Sequence, residues 1–167
     1  MKQVIACLIM AAPVLALSVD KSSDQSFFKH AAQGGIAEVD AGTLAQRKGD
    51  SQAVKDFGAM MVQDHSAANE KLKSIATAES VELPTKASVS QAASRAKLEV
   101  LSGDTFDKAY IKGQIAAHEQ TVALFKREIA SGADSQAKSF AAETLPTVES
   151  HLKKLRQIAT GAGIGVK

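Results

Sequence analysis

Few residues in this chain can do chemistry. It carries four histidines, one cysteine and no tryptophan. Three of the histidines fall on apolar stripes of helical periodicity. In "IKGQIAAHEQTVALFKREI", residues 111–129, the stripe is Ile111, Ile115, Val122, Phe125 and Ile129, and His118 interrupts it. His65 sits likewise between Met61 and Leu72, and His151 between Val148 and Leu155. A neutral imidazole needs one acceptor for its N–H and one donor for its bare nitrogen. Hydrocarbon neighbours offer neither. A transition-metal ion held by three ring nitrogens and one carboxylate oxygen would satisfy all three rings, and such a set suits Zn²⁺, Fe²⁺ or Cu²⁺. Glu38 is the carboxylate on the core stripe of the remaining long helix. Asp64, Glu119 and Glu149 lie beside the histidines in sequence, where they could orient the rings or replace Glu38 as the oxygen ligand. The competing reading is a metal-free polar layer, with each ring bonded to a carboxylate or a water. His30 reads as a surface residue.

These residues need rigid elements to bring them together. Apolar spacing predicts one long helix from about Asp24 to Lys48 and a second from Ser51 to about Glu79, stopped by Pro84. A short helix is expected over Lys86–Leu101. A third long helix is expected over Thr105–Ser131, capped by Asp104, and a fourth over Ser135–Thr160 with Pro146 inside it. Tight links at Gly49–Asp50 and Ser131–Asp134 make two antiparallel hairpins. The connection from Ser80 to Gly103 is long enough to cross a bundle. The expected fold is therefore all-α, a ferritin-like four-helix bundle whose long crossover contains a short extra helix. At ~1.5 Å rise per residue, Glu38, His65, His118 and His151 fall at similar heights along such a bundle. The stripe Phe28, Ala31, Gly35, Glu38, Gly42 and Ala45 would let a neighbouring helix approach closely.

Basic and acidic residues nearly balance, 20 against 18, without a run of five like charges, which argues against nucleic acid as a partner. The start "MKQVIACLIMAAPVLALS" has the basic and apolar regions of an export signal, so residues 1–18 are read as a signal peptide. Residues 19–167 are read as one helical-bundle domain, with its core over 24–160, located in the periplasm and without an integral membrane segment. Cleavage would remove Cys7, and with it any thiolate chemistry. Ferritin-type di-iron sites need Glu-x-x-His on two helices. Here Asp64-His65, His118-Glu119 and Glu149-Ser-His151 have other spacings. No phosphate loop, serine-nucleophile motif or redox cysteine pair is present, and no catalytic residue is assigned.

The stretch "FFKHAAQGGIAEVDAGTLAQRKGDSQAVKDFGAMMVQDHSAANEKLKSIATAESVELP" resembles an exported bacterial family of unknown function, often labelled "predicted outer membrane protein". The shared features are Ala37-Glu38, the Met-Val-x-Asp-His-x-x-x-Asn run at Met61–Asn69, His118, and Leu145-Pro146 followed by His151. The similarity spans about Phe27 to Ile158. It implies a ferritin-like four-helix fold and export to the periplasm, and no established activity. The sequence lacks the alternating strands that a barrel in the outer membrane would need. Three functions are consistent with these residues: a metal-binding bundle serving buffering or stress protection, a metal-free structural or stress-related module, and a metal-dependent oxidoreductase.

Overall fold

A computed structural model describes residues 21–165. Five helices follow one another: α1 (Lys21–Lys48), α2 (Gln52–Ala78), α3 (Val89–Glu99), α4 (Gly103–Ser131) and α5 (Ser135–Gly161). No strand occurs among the described residues. The expected signal peptide lies outside them. α1 and α2 form one hairpin and α4 and α5 the other; α1 also packs on α4, and α2 on α5.

Local chemistry sets most boundaries. Ser51 caps α2 by accepting from the Val54 amide, and Asp134 caps α5 through Ala137. Ser88 and Gln91 form a reciprocal capping box on α3. Several boundaries differ from the sequence-based expectation, and α3 is shorter at both ends than the expected Lys86–Leu101. α2 stops at Ala78, before Pro84, because Ser80 turns left-handed (φ 57°) and the Val81 amide donates back to the Ala76 carbonyl. α4 begins two residues early, with Asp104 inside its first turn and ion-paired to Lys108. Asp24 lies within α1, where its carboxylate accepts from the amides of Ala133 and Asp134 in the α4–α5 turn.

That last contact has a counterpart. Asp107, near the start of α4, accepts from the amides of Asp50 and Ser51 in the α1–α2 turn. Each hairpin thus pins the turn of the other, and the polarity follows. The start of α4 lies beside the start of α2, so those two helices run parallel and residues 79–102 must return along the bundle. α3 lies on this return, tied to the end of α1 by Arg47 and Lys48, which bind the side chain and carbonyl of Glu99.

The two pins belong to an internal repeat with a constant offset of 83 residues: Asp24/Asp107, Gly49/Gly132, Phe57/Phe140, Leu72/Leu155, Ile75/Ile158 and Thr77/Thr160. The left-handed Ser80 matches the left-handed Gly163, and both helix ends close with the same amide-to-carbonyl bonds. The bundle therefore has a pseudo-two-fold relation between its hairpins. The halves differ at the pins. Glu128 crowds Asp24, and burial together with that carboxylate pushes Glu128 up to about 7. Asp107→Ala should cost about 2–3 kcal/mol by removing two charge-assisted bonds. Asp24→Ala should cost less, because it also relieves Glu128. Urea denaturation of the two variants measures the difference, and equal losses would contradict it.

Small residues do what the first stripe predicts. A Cβ added to Gly42 would lie 2.7 Å from the Gly58 carbonyl, and one added to Gly58 would lie 2.7 Å from the Gly42 carbonyl. α1 and α2 therefore touch backbone to backbone there.

Candidate metal centre

The apolar core is divided in two. One cluster contains Ala41, Leu44, Val54, Phe57, Met61, Ile115 and Leu155; the other contains Phe27, Phe28, Leu72, Phe125, Phe140 and Val148. On each long helix the residue passed in going from one cluster to the other is polar and buried: Glu38, His65, His118 and His151. The core stripes of the sequence thus converge on one layer, formed by residues of all four long helices.

The three imidazoles meet. One nitrogen from each of His65, His118 and His151 lies within 4.8 Å of the other two. Ring centroids are 5.5–5.9 Å apart, and Phe57 packs edge-on against His118 and His151. His65 Nε2, His118 Nε2 and His151 Nδ1 have no hydrogen-bond partner among the protein atoms. The opposite nitrogens of two rings are occupied. His118 Nδ1 donates to the Gln114 carbonyl at 2.9 Å, and His151 Nε2 lies 2.9 Å from Asp64 Oδ2. With Nδ1 carrying the proton, His118 Nε2 is a bare lone pair, the form a metal ion needs.

Burial keeps two of the rings, His65 and His118, neutral. It lowers His65 to about 3, helped by repulsion from His118 and His151. It lowers His118 to about 4, against the opposing effect of the Gln114 carbonyl. Glu38 moves the other way, up to about 7, because burial penalises its charge more than the Gln114 side-chain bond favours it.

Glu38 stands beside the trio rather than within the 4.8 Å cluster, with Oε1 3.9 Å from His118 Nδ1 and Oε2 without a partner. Of the three flanking acids, Asp64 touches a ring. Glu119 and Glu149 point to the surface, paired with Arg156 and Lys126. Sequence reasoning missed two polar neighbours of Glu38. Gln114 lies one turn before His118 on the same buried face, which was the available signal. Tyr110, the single tyrosine, is fully buried with its hydroxyl unpartnered, and burial and Glu38 raise its pKa. His30 is exposed, as expected.

Two stapled helical hairpins enclosing a buried trio of imidazoles define a helical-bundle protein with potential metal donors in its core. The chain belongs to the family described as "Domain of unknown function (DUF4142)", whose model matches residues 11–158. No curated protein matches it. Two crystal structures share the fold. One is a DUF305 fragment from Deinococcus radiodurans, at TM-score 0.72 and 12% identity, covering 81% of this chain and 94% of that one. The other, from Streptomyces coelicolor, is described as "putative secreted protein DUF305", at TM-score 0.73 and 13% identity, covering 87% and 96%. At such identities the likeness concerns the fold alone. No helix among the described residues is long and apolar enough to cross a membrane.

Proposed function

We propose that this bundle binds one transition-metal ion between His65, His118 and His151, with Glu38 as the buried carboxylate beside them, and serves in metal buffering or stress protection in the periplasm. The carrying observation is the set of three buried ring nitrogens that face one another without partners. Leaving a buried polar atom unpaired costs roughly 1–3 kcal/mol. Three such atoms, on rings that bring nitrogens within 4.8 Å of one another and of which burial keeps His65 and His118 neutral, support a site for a cation. Zn²⁺, Fe²⁺ and Cu²⁺ accept this donor set. The apolar export-like start and the secreted description of one structural neighbour support the periplasmic location. The ferritin-like description is supported by the hairpin order and the long crossover.

Native mass spectrometry of tag-free protein incubated with Zn²⁺, Cu²⁺ and Fe²⁺ should show one retained ion per chain for at least one metal. The variant with alanine at 65, 118 and 151 should retain none. A wild-type protein that holds no stoichiometric metal would instead favour the metal-free structural module.

A further inference from the structure

We infer that the ion in the histidine site keeps one coordination position open toward an adjoining cavity, and that only a ligand of one or two non-hydrogen atoms reaches it. This rests on the metal reading above. The cavity has a volume of about 30 Å³ and is walled by all four long helices. A single water needs roughly 10–15 Å³ by this measure, so about two water-sized atoms fit. Glu38 and His65 line it. They are 7% and 8% exposed, and Glu38 Oε2 and His65 Nε2 are both without a protein partner. The cavity therefore touches the polar layer at Glu38 and His65, two of its four residues.

The internal repeat explains why space exists there. Shifting each donor by 83 residues gives Thr121 for Glu38, Val148 for His65, Gly35 for His118 and Ala68 for His151. All four of these mates line the cavity. The cavity thus lies at the pseudo-symmetric counterpart of the histidine site, where smaller side chains stand for the imidazoles and the carboxylate, although at Gly35 the Asn69 amide takes the place an added Cβ would enter. Its small volume selects the ligand class: water, hydroxide or a diatomic molecule. Glu38, which lines the cavity with Oε2 unpartnered, offers an acceptor to a bound water or hydroxide.

Cobalt(II)-loaded protein tests this, since its visible absorption reports coordination number. Cyanide, with two heavy atoms, should shift the spectrum with cobalt retained, and free imidazole, with five, should not. Ala68→Leu fills the cavity and should weaken cyanide binding at least tenfold at unchanged cobalt content. Ala31→Val, which fills it from α1, serves if Ala68→Leu loses cobalt. Cobalt-loaded protein that ignores cyanide overturns the inference alone, as does a filled variant that binds it like wild type, or a spectral shift with imidazole. Protein that holds no cobalt overturns the inference, and protein that holds neither cobalt nor Zn²⁺, Cu²⁺ or Fe²⁺ overturns the metal reading with it.

Discussion

His118→Leu should make the metal-free protein more stable and its metal site at least 100-fold weaker. The two effects have one origin. His118 is 1% exposed, its Nε2 has no partner, and its Nδ1 bonds only to a carbonyl one turn back in its own helix. Leucine fills a similar volume and removes the unpartnered atom, a gain of about 1–2 kcal/mol. Nothing else is orphaned, because the Gln114 carbonyl keeps its helical bond. Chemical denaturation of apo-protein and competition for metal against a chelator measure the two quantities. A loss of both stability and affinity would mark His118 as a satisfied structural residue.

Glu38→Gln should stabilise the metal-free protein by about 3 kcal/mol at pH 8 and by almost nothing below pH 4.5. Glu38 ionises near 7 in the folded chain against 4.5 as its ordinary value. Between those values the folded state holds more protons at this residue, so stability falls as pH rises. Above 7 the full penalty of a buried charge applies. Glutamine carries no charge and removes the penalty. The histidines act with the opposite sign. His65 and His118 protonate near 3 and 4 in the folded chain against 6.5 ordinarily. Their stability is fully present above 6.5 and is lost as pH falls toward those lowered values. In wild type Glu38 offsets part of that loss, and in the variant it does not. The variant's stability should therefore fall more steeply from pH 6.5 to 4.5. Denaturation curves at pH 8, 6.5 and 4.5 check this, and a gain independent of pH would contradict it.

Much of this arrangement is legible in the residues, for identifiable reasons. Helical stripes report burial directly, so His65, His118 and His151 could be assigned to the core before any coordinates. Tight Gly-Asp and Ser-Gly links fixed the hairpins. Approximate heights along the helices placed four polar residues in one layer. Side-chain direction is not carried by height, which is why Glu38 stands outside the trio and why Glu119 and Glu149 turn to basic partners on the surface. The Asp24 and Asp107 pins were illegible because a carboxylate near a helix start has an ordinary local use as a cap. Only tertiary contact shows that each serves a distant turn. The 83-residue repeat is hard to see in the sequence because its identities are scattered and the four polar residues of the central layer do not follow it.

The three imidazoles span the two hairpins: His65 belongs to one, His118 and His151 to the other. A chain with a single cysteine cannot close an intrachain disulfide. An ion bound at this layer would be a covalent-like cross-link between the hairpins, enclosing the whole crossover and α3 in a loop from residue 65 to residue 118. Constraining a loop of that length removes entropy from the unfolded chain by the same argument that applies to a disulfide. Unlike a disulfide, this closure could be undone by a chelator or by acid without any change in redox state.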